Sequence, residues 1–216
     1  AIWADGHGRQ PSQSDLYFCD KQGHVFKMPR TFDANVIKPI DVTMDLNSFQ
    51  IEYSPKAIGN KLGKHFVYSP HYLHGKKWIH YAEVCTWLGA LRYAQTVKDK
   101  ELIQMLKERF DRLLAKEQKY LPPKKHVDLN IFGCLALELY QVSKDKKYLE
   151  LGLSYADSQW KLPKGANTEQ TEWGRKGYSW QTRLWIDDMF MITIIQAQAY
   201  HVTGNRKYIE RAAVLN

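Results

Sequence analysis

The sequence predicts an all-α main domain built as a two-layered (α/α) toroid of helical hairpins, preceded by a short extension containing a β-hairpin. Three observations carry this prediction. Helical periodicity of apolar residues dominates from residue 51 onward, a hairpin-like unit recurs there, and residues 1–50 have a different pattern. We therefore divide the chain into an extension, 1–50, and a helical domain, 51–216.

Within the extension, Leu16-Tyr17-Phe18-Cys19 and His24-Val25-Phe26 read as two short strands around the turn Asp20-Lys21-Gln22-Gly23. The pattern changes at Ser54-Pro55, where proline suits the first turn of a helix running to about Tyr68. Beyond it, Tyr93–Ile103, Tyr140–Leu149 and Tyr200–Ile209 each pass from a helix end through a polar turn into an amphipathic helix. Their turn residues, Asp99, Asp145 and Asn205, are spaced 46 and 60 residues apart, as stacked helical hairpins would be. The first helix of each pair is the more apolar: Trp78–Thr96, Asp128–Ser143 and Trp185–Thr203. These are the expected inner helices, and their charged, periodic successors the outer layer.

A chain of 216 residues, 44% hydrophobic, can enclose one sizeable core. Its charge of +8 is spread along helical segments and accompanies no zinc-finger, basic-zipper or ribonucleoprotein motif, so nucleic acid is not an expected partner. No stretch approaches the roughly 20 apolar residues of a membrane span, and the first five residues do not form a signal peptide. Cys19, Cys85 and Cys134 lack metal or disulfide spacing, and the last two fall in apolar helical runs as expected core residues. No metal and no cofactor is expected, because no His or Asp cluster has metal-ligand spacing.

Each inner helix begins with polar residues: His80 and Glu83, Asp128 and Asn130, Asp187 and Asp188. Asp128 lies 17 residues before Asp145, and Asp188 lies 17 before Asn205, which brings these groups to one end of the array. Helix capping alone would explain acids in a first turn. A shared rim of carboxylates beside aromatics also meets the needs of acid–base chemistry. Trp173, Tyr178, Trp180 and Trp185 crowd the approach to the Asp pair with Gln181 and Arg183, a combination that could stack on sugar rings or simply close the array's end.

The runs KWIHYAEVCTWLGALRYA, HVDLNIFGCLALELYQVSKDKKYLELGLSYADSQW and WQTRLWIDDMFMITIIQAQAYHVTGNRKYIERAA resemble the unsaturated uronyl hydrolases of glycoside hydrolase families 88 and 105. The nearer likeness is to the unsaturated rhamnogalacturonyl hydrolases, over residues 54–216, with the third run the most specific. The resemblance implies a six-hairpin toroid of which about half is present. It also implies a partner, an oligosaccharide left by a polysaccharide lyase and ending in an unsaturated uronic acid, whose C4–C5 double bond is hydrated. By position in the motif Asp187 is the residue that protonates C4 and assists water at C5, and Asp128 is the second acid. Asp188 takes a capping or supporting role. Trp78, Tyr81, Asn130, Trp180 and Arg183 are assigned to substrate binding by the same resemblance. A periplasmic or secreted location is implied too.

The family's downstream Trp-x-Arg-Gly-Asn-Gly-Trp type segment is not among these residues. Three hairpins alone would leave apolar inner helices open, to be covered by further chain or by a second copy in a homo-oligomer. Two other readings fit parts of the pattern: a non-catalytic carbohydrate-binding or scaffold protein on the same fold, and a protein-interaction solenoid. The solenoid leaves the polar rim unexplained.

Overall fold

The computed structural model describes residues 54–214 together with the backbone of three strands, β1 (Ile2–Asp5), β2 (Asp15–Cys19) and β3 (Val25–Met28). By contacts the chain separates into two units, Ala1–Ile58 and Gly59–Asn216. In the first, β2 pairs antiparallel with both β1 and β3, so the expected hairpin gains a third strand; Phe18 stands opposite Ile2 on one side and Phe26 on the other. The turn expected at Asp20–Gly23 lies outside the described residues.

The helical unit follows the predicted order of pairs. Helix α1 (Pro55–Tyr68) leads through a two-stranded ribbon, β4 (Leu73–His74) and β5 (Trp78–Ile79), into α2 (Tyr81–Thr96) and α3 (Lys100–Ala115). The second hairpin comprises α4 (Val127–Asn130), α5 (Gly133–Ser143) and α6 (Lys146–Ser158). After α7 (Thr168–Arg175), the third hairpin is α8 (Asp188–Thr203) with α9 (Arg206–Ala213). Each predicted turn residue is the N-cap of an outer helix. Asp99 accepts from Leu102 N at 2.9 Å, Asp145 from Lys147 N at 3.0 Å and Asn205 from Lys207 N at 3.1 Å. A short polar side chain there satisfies an amide that the first helical turn leaves unpaired.

Packing makes α5 the centre of the array, against α2 on one side and α8 on the other. Gly133 to Leu139 are all buried, and each enclosed leucine contributes roughly 1.5–3 kcal/mol. Two glycines set how closely this helix approaches its partners. A Cβ on Gly133 would stand 2.4 Å from Ile195 Cδ1 of α8, and one on Gly152 would stand 2.5 Å from Leu137 Cγ. The close contact admits no methyl group.

Glu138 joins all three inner helices. Its Oε1 accepts from Gln95 Nε2 of α2 at 2.8 Å and its Oε2 from Gln198 Nε2 of α8 at 2.9 Å. A buried carboxylate is tolerable only when so partnered.

Several expectations about element boundaries are corrected. Trp78 lies in β5, not in the first inner helix, which begins at Tyr81 with His80 as its N-cap. The second inner helix is not continuous. Around Ile131 and Phe132 the hydrogen bonds tighten to three-residue spacing, with Phe132 N on Leu129 O and Cys134 N on Ile131 O, which separates α4 from α5. Trp185 and Ile186 precede α8 instead of forming its first turn. Part of the Trp-rich approach is itself a helix, α7, held by a reciprocal cap between Asn167 and Gln170. Cys134 is buried as expected, but Cys85 is exposed on α2. Leu184, Trp185, Ile186, Met189 and Phe190 form a run of large exposed apolar side chains at the start of α8. Among the described residues no helix is long and apolar enough to cross a membrane.

Candidate active site

The loop before α8 turns on one residue. Arg183 reaches three carboxylates: Asp188 Oδ1 at 2.7 Å from Nη2 and 2.9 Å from Nε, Asp187 Oδ2 at 3.0 Å, and Asp128 Oδ1 at 3.4 Å. Its guanidinium also stands 4.5 Å over the ring of Trp185. A planar, permanently charged fork suits such shared recognition, as a lysine would not. Nearby carboxylates hold the arginine's pKa above its ordinary value although burial acts against this.

The two adjacent aspartates are in different environments. Asp187 occupies the N-cap position of α8 yet makes no side-chain cap bond, and its side chain is half exposed. Its carboxylate is therefore free on its outer side. Asp188 is buried and accepts from Arg183 N at 2.6 Å and Trp185 N at 3.4 Å. The capping expected of Asp188 is thus of the preceding loop, not of the helix. It locks a turn in which Leu184 takes the left-handed conformation, φ 60°.

Asp128 comes to the same cluster from α4. His126 caps that helix, accepting from Asp128 N at 3.2 Å, and its Nδ1 lies 3.6 Å from Asp128 Oδ2. His80 caps α2 in the same way, accepting from Ala82 N at 3.1 Å, with its ring 4.3 Å from that of Tyr81 and 4.6 Å from that of Tyr72. Burial and neighbouring His74 lower the His80 pKa, against the opposing pull of Asp128. Asp128 and Asp187 thus meet on Arg183 from the starts of two inner helices, and His80 at the start of the third is near enough to Asp128 for their charges to interact.

Other predicted site residues are distributed differently. Tyr81 is exposed at the first turn of α2, and half-buried Trp78 lies under Lys125 Nζ at 4.6 Å. Trp180 is buried and donates from Nε1 to Ser158 O at 2.7 Å, so only part of its ring lines the neighbouring cavity. Asn130 does not reach the rim. It is fully buried, its amide donating to Ser158 Oγ at 2.7 Å and Tyr155 O at 3.2 Å, because on a helix Asn130 and Asp128 face different sides.

Glu83 also leaves the rim. It is buried, accepts from Tyr72 N at 2.5 Å and Arg109 Nη2 at 3.0 Å, and meets His71 Nδ1 at 2.7 Å. Arg109 in turn donates to Val67 O and Ser69 O and stands against both Phe66 and Trp87, whose rings meet edge to face. This cluster fastens the segment before β4 to α2 and α3. Nothing in the spacing of Glu83 separated it from the rim acids; its partner arginine, 26 residues away on α3, was the missing information.

Among the described residues no group of three or more His, Cys, Asp or Glu side chains is arranged to hold a metal ion. The family model of Glycosyl Hydrolase Family 88 matches residues 56–214. No curated protein and no solved structure matches the chain.

Proposed function

The chain belongs to glycosyl hydrolase family 88 and is a glycoside hydrolase; from that premise we propose that it releases a terminal 4,5-unsaturated uronic acid from oligosaccharides left by polysaccharide lyases on pectin-like polymers. The observation that carries this reading is the meeting of Asp187 and Asp128 on Arg183 beside the ring of Trp185. Asp187 has the solvent-facing oxygen that a proton donor needs, and Asp188 does not.

In the proposed reaction the Asp187 carboxylic acid gives its proton to C4 while water adds through oxygen to C5. The proton lost by that water returns to Asp187. The product is a hemiketal at C5, which opens and releases the neighbouring sugar. Because the double bond is hydrated and no glycosyl cation is displaced, the carboxylate separations of ordinary glycosidases do not govern it. Asp128 would support water and substrate from the other side.

Arg183 is placed to meet the substrate as well. An incoming uronate offers the guanidinium a new carboxylate, so Nη2 would move from Asp187 to the substrate and leave the Asp187 side chain to face C4.

Loss of ultraviolet absorbance from an unsaturated rhamnogalacturonan disaccharide tests the reading. We expect turnover by the folded protein and its loss in Asp187→Asn; full activity in that variant would overturn the assignment.

A further inference from the structure

His126 fixes three successive amides of the short turn that carries Asp128. Its Nδ1 accepts from Asp128 N at 3.2 Å, and its carbonyl oxygen accepts from Leu129 N at 3.0 Å and Asn130 N at 2.9 Å. The turn is brief, because α4 ends at Asn130 and the three-residue bonds around Ile131 and Phe132 separate it from α5. One capping residue therefore governs all of it.

A neutral imidazole that accepts at Nδ1 carries its one hydrogen on Nε2. The next proton can go only to Nδ1, the atom that holds the cap. Protonated there, the ring no longer accepts from Asp128 N but becomes a donor, and an acceptor is at hand: Asp128 Oδ2 lies 3.6 Å from Nδ1. The other oxygen of that carboxylate, Oδ1, is 3.4 Å from Arg183 Nη1. Both separations exceed those of a tight ion pair, so Asp128 stands between two partners and is locked to neither. Arg183 is a permanent cation, whereas His126 becomes one only on protonation.

The side chain of His126 is about half exposed, so the proton comes from solvent. Glu169 of α7, Arg183 and Lys125 line the cavity that the ring also borders, with Lys125 Nζ set over the ring of Trp78. His80 acts on Asp128 by charge. It caps α2 through Nδ1 in the same way as His126 caps α4, but the residue that it holds is Ala82, which offers no carboxylate. Of these two capping histidines, only His126 can exchange one bond for another within its own turn.

We propose that His126 is the positioning residue of Asp128: its neutral ring caps the turn and leaves the carboxylate to Arg183, and its imidazolium draws the carboxylate away. Turnover then falls on the acid side of neutrality through a side chain that acts on Asp128 and not on the substrate. The consequence for turnover rests on the place given above to Asp128 in the reaction; the exchange of partners does not.

Nuclear magnetic resonance of the full chain tests the exchange without substrate. At about pH 8 the nitrogen shifts of His126 should show an acceptor Nδ1 and a hydrogen on Nε2; toward about pH 5 both nitrogens should become N–H, with a coincident change in the Asp128 carboxyl-carbon shift that is absent in His126→Asn. Over the same range kcat/KM on the unsaturated rhamnogalacturonan disaccharide should fall at least about tenfold in the parent. His126→Asn, whose amide oxygen caps without titrating, should stay within about threefold of the parent near neutrality and lose this acid limb. His126→Ala should be about fivefold less active at every pH, the factor for one missing cap. His80→Asn should keep the limb. A hydrogen on Nδ1 at neutral pH, an Asp128 signal indifferent to His126, or an acid limb that persists in His126→Asn or disappears in His80→Asn would overturn the proposal. The coupled shifts without turnover would support the exchange and count against the reaction proposed for this site.

Discussion

Nη2 of Arg183 lies 2.7 Å from Asp188 Oδ1 and 3.0 Å from Asp187 Oδ2, so one nitrogen bridges a buried acid and an exposed one. The buried member is structural. Asp188 also receives the backbone N–H of Arg183, and removing its charge would loosen the left-handed turn at Leu184. Asp188→Ala is expected to cost roughly 2–3 kcal/mol, the range for a buried charge-assisted hydrogen bond. Asp187→Asn should change stability by less than about 0.5 kcal/mol, as for most exposed substitutions, while lowering kcat at least 100-fold. Urea denaturation of the two variants beside their activities measures the separation. Equal losses of stability would show that the two acids share one structural role.

Glu83 and Arg109 give the protein an acid-sensitive fastening. Burial raises the Glu83 pKa, but hydrogen bonds from His71 and Arg109, the charge of His71 and the Tyr72 amide together outweigh it, and the net shift is downward. A carboxylate with a depressed folded pKa contributes stability above its unfolded value, near 4.5, and that contribution disappears as pH falls through the lower folded value. Denaturant midpoints should therefore fall between pH 5 and pH 3 or below, and Glu83→Gln should flatten this part of the profile. Arg109→Met leaves Glu83 buried without its cation and is expected to cost about 3–5 kcal/mol. A profile equally steep in parent and Glu83→Gln would assign the acid sensitivity to other carboxylates.

What could be read from the sequence follows the range of the interactions involved. Hairpin order and the caps Asp99, Asp145 and Asn205 were legible because capping and amphipathic period act within a few residues. The Asp187–Asp188 pair was legible as two acids at the start of an apolar helix; their unequal exposure was not, since it depends on where Arg183 points. Long-range pairing also decided the errors. Glu83 and Asn130 share the spacing of rim residues, but Arg109 and Ser158 draw them into the interior. Trp78 pairs with His74 in a strand ribbon just ahead of the apolar run that forms α2, a pairing that the run's helical period does not disclose.

The same long-range logic makes Glu138 the joint of the inner layer. Gln95 and Gln198, 43 residues before it and 60 after, each donate to a different oxygen of its carboxylate. Glu138→Ala would strand two amides and should destabilise the chain by about 2–4 kcal/mol. Gln95→Ala and Gln198→Ala, taken singly and with Glu138→Ala, form double-mutant cycles whose coupling should lie at about 0.5–3 kcal/mol, as for residues in one network. Additive losses would mean that these hydrogen bonds do not couple α5 to its neighbours.

Helix proximity itself can be tested at Gly133 and Gly152. Alanine ordinarily stabilises a helical position relative to glycine by about 0.5–1 kcal/mol, through both intrinsic propensity and a less disordered unfolded chain. Here the added methyl meets enclosed neighbours instead of solvent. At Gly133 it would lie 2.4 Å from Ile195 Cδ1 and 2.5 Å from Tyr155 Cβ; at Gly152 it would lie 2.5 Å from Leu137 Cγ and 3.1 Å from the Gly133 carbonyl oxygen. Overpacking typically costs about 1–3 kcal/mol, which exceeds the propensity gain. Both Gly→Ala variants should therefore lower the thermal midpoint, and Ile195→Val should recover part of the loss for Gly133→Ala by withdrawing the clashing methyl. Gly89→Ala provides the control, because no atom lies within 4 Å of its Cβ direction and it is exposed on α2. That substitution should raise the midpoint. If all three alanines behaved alike, propensity and not the close approach of α5, α6 and α8 would govern these positions.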